Sequence, residues 1–552
     1  MDRTIRTCKL VLAGGLLLAA FPAEASRAAE ASLSRYVHAR MADARGEPDQ
    51  ALSAYAEALT ANPDNVSVAY RTYRKAVDAG NMVLALRAAR TLDRLDALPP
   101  DGPLLLFVDQ VHRADWRAAE RELDRVEASQ SFAFMVPALR AWMLFGARKG
   151  DALAPLEGRV RDAVGYALVR EQRALLLLAQ GKAEEGAEAV RSQDRPDVYR
   201  SQFRLLAAAR LMQLKRADLA ATLLDGAALE LDLARKMVAS GQPLPDAVAQ
   251  SRSGLSEMLA RVSLLLLAER APQSAAVMAR FAAFADSKRA YPTVVTAVAL
   301  NAVGRNDAAL AALSRVKATP LTQGWIDQTR YEALRNGDRP EEALALARDL
   351  AARSDVSAES FVRLGDALAA TDRHAEAANA FKQAIDLVTT RHGETFIPWH
   401  YWLQYGRELE SARDWTRARQ ALQRAVEAGP DQATPLNHLG YSMLEHGEDA
   451  KAATELIARA SAIRPDDAAI IDSLGWAWVR QGDLAKGIPL LEQAAEREPR
   501  MGEISEHLGD AYWMSGRRID ARYAWRNALV QSDGDVAERL KAKIDFGLKA
   551  AK

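Results

Sequence analysis

The last third of the chain alternates apolar runs with short polar breaks at Gly447, Gly482 and Gly516. Within each run the apolar residues recur roughly three or four positions apart, which places them on one face of an α-helix. Upstream the same rhythm continues with fewer glycines. The pattern therefore predicts an all-α protein made of short, successive helices.

Leu-Gly or equivalent pairs mark a fixed period in this region. Tyr405-Gly406, Leu439-Gly440, Leu474-Gly475 and Leu508-Gly509 follow one another at steps of 34, 35 and 34 residues. After each polar break comes a small residue with a large apolar one four positions later: Ala418 and Leu422, Ala453 and Ile457, Gly487 and Leu491, Ala521 and Trp525. Pro430, Pro465 and Pro499 close three of these units. Such a period is typical of helix pairs that stack in one dimension.

These features resemble the tetratricopeptide-repeat family, with Leu-Gly in the first helix, small residues where two helices cross, and proline after the second. The resemblance also covers Leu364, Gly365, Ala377, Phe381 and Ala384, and near the N-terminus Gly46, Ala51, Tyr55, Ala58 and Pro63. It weakens between residues 66 and 350, where helix, break and helix still alternate. The family implies a right-handed α-solenoid whose first helices line a concave, protein-binding groove.

Breaks in this pattern suggest a division of the chain. We predict an N-terminal part with tetratricopeptide and degenerate helical repeats (26–240), middle helical repeats (255–388), a regular array (399–534) and a capping helix (535–552). The stretch Ser240–Gly254 is linker-like, and the insertion Thr389–Pro398 lengthens the step between Leu364 and Tyr405 to 41 residues. In the last segment Val536, Leu540, Ile544 and Leu548 share one helical face, which is suited to covering the end of a solenoid.

The N-terminus has the pattern of a secretory signal. Arg3, Arg6 and Lys9 precede an apolar run of 12 residues, Leu10–Phe21, and Ala23-Glu24-Ala25 fits a cleavage site. We predict a signal peptide over residues 1–25 and a periplasmic or secreted protein of a Gram-negative bacterium, with peripheral attachment to the outer membrane left open. The run is too short to span a bilayer, and a buried N-terminal helix is the alternative.

Composition narrows the possible functions further. The only cysteine, Cys8, lies before the apolar run, so the mature chain would have no disulfide and no cysteine-based zinc site. Cleavage removes three of 73 basic and two of 73 acidic residues, leaving 70 and 71. This balance lacks the basic surface typical of nucleic-acid or anionic-membrane binders.

No motif for chemistry stands out. The eight histidines form no H-E-x-x-H, and there is no phosphate-binding G-x-x-x-x-G-K-[ST], no G-x-G-x-x-G and no G-x-S-x-G. We therefore predict no metal, no cofactor and no enzymatic activity.

Two tryptophans, Trp476 and Trp478, suggest where a partner would bind. Trp478 occupies the family's aromatic position between the two helices of a repeat, so Trp476 should face the groove. Equivalent positions in three successive repeats give the predicted protein-binding set: Asn437, His438, Tyr441, Asp472, Trp476, Arg480, Glu506, His507, Asp510 and Trp513. The alternative is that these rings pack on neighbouring helices. Some grooves of this family hold a partner's C-terminal carboxylate with Lys, Arg and Asn. The corresponding positions here, Asn437, Asp472 and Glu506, are more acidic than basic, so such a clamp is disfavoured.

Trp399, His400 and Tyr401 form a second aromatic cluster directly after the insertion. These rings either bury the inserted segment against the solenoid, which we favour, or form a docking knob with it.

The stretches "LNHLGYSMLEHG" and "IIDSLGWAWVRQGD" further resemble a group of secreted proteobacterial tetratricopeptide proteins. That resemblance covers residues 399–530 and implies an adaptor that docks a periplasmic carboxyl-terminal processing protease and delivers its substrates. The chain departs from the lipoprotein members of the group in lacking a lipobox cysteine. The alternative is a structural component of an envelope secretion or polysaccharide-export assembly.

Overall fold

The computed structural model describes residues 23–548 except 159–162, 194–198, 227 and 354–355. These residues form 29 α-helices, four short 3-10 helices and no strand, which confirms the predicted all-α class. The predicted signal peptide falls on residues 1–25, almost all of which lie outside the described residues. It stays a prediction.

The chain divides into two compact units, one ending at Gly337 and the other beginning at Asp338. Unit 1 contains α1 (Ala23–Ala44), α2 (Pro48–Ala61), α3 (Val66–Ala79), α4 (Met82–Arg94), α5 (Gly102–His112), α6 (Trp116–Ala128), α7 (Val136–Ala147), α8 (Ala163–Ala179), α9 (Ala183–Arg191), α10 (Tyr199–Gln213), α11 (Ala217–Leu224), α12 (Asp232–Ala239), α13 (Ser251–Ala268), α14 (Pro272–Ala285), α15 (Ala290–Ala302), α16 (Asn306–Leu313) and α17 (Pro320–Asn336). Unit 2 contains α18 (Pro340–Ala351), α19 (Ala358–Ala369), α20 (His374–His392), α21 (Trp399–Ser411), α22 (Trp415–Ala428), α23 (Ala433–Glu445), α24 (Ala450–Ile463), α25 (Ala468–Arg480), α26 (Leu484–Arg497), α27 (Gly502–Met514), α28 (Arg518–Val530) and α29 (Gly534–Phe546). The four-part division drawn from the sequence stays a prediction.

In unit 1, helices that are distant in sequence pack together. Helix α13 contacts α5, α7 and α8, and α14 contacts α3 and α5. Hydrogen bonds stabilise these contacts. Ser251 Oγ of α13 donates to the Trp142 carbonyl of α7 at 2.7 Å, and His112 Nε2 of α5 lies 2.7 Å from the Ala285 carbonyl oxygen of α14. The linker-like stretch Ser240–Gly254 belongs to this packing, because Leu244 and Val248 are buried and its last residues open α13.

A buried ionic network crosses the same core. Arg261 forms a two-pronged ion pair with Glu171 at 3.0 and 3.1 Å. Arg289 pairs with the fully buried Glu257 at 3.1 Å, and Glu257 also accepts a hydrogen bond of 2.7 Å from Tyr199. Burial raises the pKa of Glu257, opposed by Arg289 and the Tyr199 hydroxyl. Buried charges of this kind are tolerated only while every partner is present.

Unit 2 stacks its helices in order. Each helix from α19 to α29 packs mainly on the preceding and following ones, and the first helices of successive repeats, α21, α23, α25 and α27, also contact one another. Asp414, Asp449, Asp467 and Asp483 cap the N-termini of four helices by accepting backbone N–H bonds. These caps satisfy donors that the helix cannot pair internally and so fix where each helix begins.

The periodic glycines mark the points where two helices of a repeat touch. A Cβ atom on Gly406 would lie 2.7 Å from the Leu422 side chain, and one on Gly440 would lie 2.7 Å from Ile457. A Cβ on Gly475 would meet Leu491 at 2.9 Å, and Gly509 abuts Trp525 in the same way. The large apolar residues that the sequence pattern paired with these glycines are therefore the residues that fill the crossing.

The last helix covers the end of the stack, as predicted. Leu540 is fully buried, and Ile544 and Leu548 pack on the cluster that contains Trp525. Val536 stays substantially exposed, so only part of the predicted apolar face is covered.

Candidate functional site

The ten predicted binding residues lie on three successive first helices of unit 2: α23, α25 and α27. The structure brings four of them, Tyr441, Asp472, Trp476 and His507, into contact across the helix boundaries. Glu506, Asp510 and Trp513 contact the last two helices instead. We call the surface formed by α21, α23, α25 and α27 the first-helix face. Most of its polar groups are bonded to each other.

His507 on α27 lies at the centre of this network. Its ring stacks on Trp476 with centroids 4.5 Å apart and planes 9° apart, and its Nδ1 lies 2.8 Å from Oδ2 of Asp472. Burial acts to lower the pKa of His507, but the carboxylate of Asp472, with Glu503 and Asp510 nearby, outweighs it and the pKa is raised. The imidazole is therefore biased toward its charged form.

Tyr441 on α23 reaches past α25 to α27. Its hydroxyl donates to Glu503 at 2.8 Å and lies 3.4 Å from Nε2 of His507. Burial and the negative charge of Glu503 raise the pKa of this phenol well above its usual value, so it remains a neutral donor. Tyr441 thus links two repeats that are not adjacent in sequence.

The predicted orientation of Trp476 needs correction. Its side chain is only 9% exposed and stacks on His507 of the next first helix, α27. Its Nε1 lies 3.3 Å from Oε1 of Glu445 on the preceding first helix, α23. The alternative interpretation, that this ring packs on neighbouring helices, is therefore the one that fits Trp476. Trp478 faces the second helix of its own repeat as predicted, but it is half-buried, with Lys486 Nζ 4.2 Å from its ring centroid. Trp476 does point away from the second helix of its own repeat, α26, but there it contacts the neighbouring repeats rather than solvent.

Glu506 and Asp510 are covered by the capping helix. Arg539 and Lys543 of α29 bond Glu506 at 2.9 and 2.6 Å, and Lys543 bonds Asp510 at 2.7 Å. Burial acts to raise the pKa of Glu506, but these two cations outweigh it and the pKa is lowered. Both acids were predicted to face a partner, yet they hold the capping helix.

The other end of the face contains a carboxylate between two histidines. Glu410 of α21 lies 3.3 Å from His438 and 3.2 Å from His446, and it accepts a bond of 3.0 Å from Ser442. Burial opposes ionisation of Glu410, but these partners outweigh it and its pKa is lowered. The Asn437 side-chain oxygen has no partner among the described residues.

A partner would meet the exposed edge of this face. Arg480, a member of the predicted binding set, is exposed and lies 3.9 Å from Glu445. Its guanidinium lies 5.9 Å from the Trp476 ring centroid. Met514 is 50% exposed at the end of α27, and Glu503 is also exposed. Trp513 is half-buried under Arg518 and Arg522 of α28.

Sequence reasoning placed Glu445 in the row of Asn437 and Tyr441 but missed Glu410, Glu503, Arg539 and Lys543. Glu410 occupies the position in α21 that Trp513 occupies in α27, so applying the repeat spacing to α21 would have found it. No sequence signal pointed to Arg539 and Lys543, because they lie outside the repeat period.

The aromatic cluster after the insertion mainly packs against the rest of unit 2. Tyr401 and Ile397 are buried, and Trp399 packs on the apolar cluster of α22 and α23. Most of the inserted segment Thr389–Pro398 is exposed, including Phe396 at 62%, and Ile397 is its one buried residue. The favoured interpretation, that the rings bury this segment against the solenoid, therefore fits only the end of the segment at Ile397.

Among the described residues, no group of three His, Cys, Asp or Glu side chains is placed to hold a metal ion. Likewise, no helix in that part of the chain is both long and apolar enough to cross a membrane.

Residues 331–391, 403–468 and 473–537 each match the model of a tetratricopeptide-repeat family. These segments are tetratricopeptide repeats. They cover most of unit 2 and include every residue of the predicted binding set except Asp472. A comparison with curated proteins finds no significant match.

The chain also matches solved structures, among them the following three. The APC/C hetero-tetramer Cut9-Hcn1 is 13% identical, with 95% of this chain and 98% of that chain covered and a TM-score of 0.40. A thermophilic tetratricopeptide protein of Thermus thermophilus is 21% identical over 34% of this chain and 98% of its own, with a TM-score of 0.29. MamA from Desulfovibrio magneticus is 20% identical over 32% and 94%, with a TM-score of 0.27. At these values none of them identifies a site or partner.

Proposed function

We propose that this protein is a non-catalytic scaffold of the bacterial cell envelope that binds partner proteins along the first-helix face of unit 2. Tetratricopeptide repeats serve protein–protein interaction, and the observation that carries the proposal is the continuity of this face. Side chains from α21 to α27 contact one another in succession, so a partner laid along the exposed edge would touch several repeats at once. The signal-like N-terminus supports export to the periplasm.

The finer proposal is an adaptor role. The sequence of residues 399–530 resembles secreted adaptors that bring substrates to a carboxyl-terminal processing protease, and an adaptor needs two docking surfaces. The two compact units supply surfaces of different construction. We therefore propose that unit 2 holds one protein while unit 1 holds another.

Variants that test this proposal should change exposed side chains of the first-helix face. Replacing Trp476 would damage the core, because its ring is buried against His507. The double variant Arg480→Glu with Met514→Glu instead changes exposed side chains on the first-helix face. A matched control is Ile519→Glu with Tyr523→Glu on α28, because both side chains are more than half exposed and lie on a second helix.

The measurement is an affinity purification of the mature protein from envelope extract, with each variant checked for unchanged helicity. We expect the first-helix variant to lose at least one partner that the wild type and the α28 control retain. A protease with its substrates among the lost proteins supports the adaptor role, and export or secretion components support a structural role in such an assembly. Equal recovery by all three proteins would remove the first-helix face as the binding site.

A further inference from the structure

A small cavity in unit 1 is lined by three arginines. It has a volume of about 250 Å³ and lies where α3 packs against α14 and the end of α15. Arg74, Arg280 and Arg305 line it, and the sole carboxylate among the lining residues is Asp78. The remaining wall includes Val77, Ala276, Val277, Leu300 and Val303. The cavity therefore combines a strongly positive side with an apolar side.

Arg280 is the most buried of the three. Its Nη2 donates to the Asp78 carbonyl oxygen at 2.9 Å, while its Nε is buried and has no partner among the described residues. A guanidinium has five N–H donors, and a buried donor without an acceptor is costly. Gly80 makes room for this group, because a Cβ there would lie 2.7 Å from Nη1 and its φ of +76° also favours glycine.

The charges around Arg280 are not balanced. Asp78 lies 3.9 Å from Arg305, and Arg74 lies 3.6 Å from Asp101, so neither acid forms a close pair with Arg280. Burial, followed by repulsion from Arg305, lowers the pKa of Arg280 to about 10, against a weaker opposing effect of Asp78. An anion in the cavity would relieve both the desolvation and the repulsion.

We propose that this cavity binds a small oxyanion, a carboxylate or phosphate group, with a short apolar substituent against Val77, Leu300 and Val303. Arginine's planar fork matches the oxygens of either group. The volume is below that of sites for drug-sized ligands, so it suits a molecule of a few heavy atoms. This site is independent of the first-helix face and of the partner proteins proposed for it.

Isothermal titration calorimetry on the mature full-length protein tests this site, with sodium phosphate and sodium butyrate as probes and sodium chloride at equal ionic strength as the reference. The test variant is Arg74→Gln with Arg305→Gln, because these side chains are partly exposed and Arg280 supports α3. The control is Arg87→Gln with Arg94→Gln, two exposed arginines on α4 that do not line the cavity.

We expect saturable binding of one anion per chain and at least about a tenfold loss of affinity in the test variant, the scale of charge-assisted bonds. The control variant should bind like the wild type. Tighter binding of butyrate, reduced by Ala276→Leu on the apolar wall, identifies a carboxylate with an alkyl group, whereas binding of phosphate alone identifies a phosphate. Absence of saturable binding of both probes, or equal binding by the test variant, overturns the proposal.

Discussion

Helices far apart in sequence pack together in unit 1, whereas the main contacts of unit 2 join each helix to its neighbours in the stack. In unit 1, α13 and α14 fill the space between α3, α5, α7 and α8, and a buried ionic network ties α8, α13 and the start of α15. In unit 2 the longest link is Tyr441, which joins α23 to α27.

This difference has a thermodynamic consequence. The stability of a nearest-neighbour stack is close to a sum of local terms, so damage at one end leaves distant repeats folded. A unit whose central helices touch many others cannot lose one contact without exposing several surfaces. We therefore expect unit 1 to unfold as a whole and unit 2 to fray from its end.

The largest predicted effect comes from Arg289→Met in unit 1. This change leaves Glu257 buried without its cation, and removing one partner of a buried pair costs about 3–5 kcal/mol of unfolding free energy. Hydrogen exchange measured by mass spectrometry should show faster exchange throughout the helices of unit 1 and unchanged exchange in α21 to α28.

The control for this change is Arg191→Met, which removes an exposed pair with Glu188 worth about 0–1 kcal/mol. If Arg289→Met speeds exchange only in α13 and α15, unit 1 does not unfold cooperatively and the contrast with unit 2 is wrong.

Leu540→Ala tests the opposite behaviour at the end of unit 2. Leu540 is the fully buried residue of the capping helix, and leucine-to-alanine changes in a core cost about 2–5 kcal/mol. Exchange should rise most in α29, less in α27 and α28, and not at all in α21.

Val536→Ala on the same helix is the matched control, because Val536 is largely outside the core. A uniform rise of exchange from α19 to α29 in Leu540→Ala would show that unit 2 is a single cooperative block.

The same contrast explains how far the sequence could predict the fold. In unit 2 each repeat has equivalent neighbours, so the same physical demand recurs at the same position: Gly406, Gly440, Gly475 and Gly509 each face a large side chain of the second helix. The period and the residues that fill each helix crossing followed from it, while the capping helix was predicted separately from its apolar face. In unit 1 a helix such as α13 has unique neighbours, so no period remains to identify them. The sequence predicted its helices but not the contacts of α13 and α14.

The candidate site divides in the same way. Repeat spacing placed Tyr441, Trp476 and His507 on one face, because equivalent positions of stacked helices lie side by side. It could not predict whether those side chains meet solvent or each other, since this depends on rotamers and on α29. Hence Trp476 and Asp510 were expected at a partner surface and are largely buried in the protein.

The smallest predicted effect concerns pH and the His507 contact. Because the pKa of His507 is raised in the folded protein, its pairing with Asp472 stabilises unit 2 fully below the unfolded pKa of about 6.5, and this contribution is lost as pH rises through the folded pKa. As pH rises above about 6.5, the free energy of unfolding of unit 2 should therefore fall more steeply in the wild type than in His507→Gln.

His507→Gln keeps a polar side chain at the position but cannot titrate, and subtracting its pH profile removes the contributions of all other titrating groups. Urea denaturation followed by helix content, at closely spaced pH values, gives both profiles. Parallel profiles for the two proteins would mean that Asp472 does not favour the charged imidazole, and the charge on His507 would then contribute nothing to the inter-repeat contact.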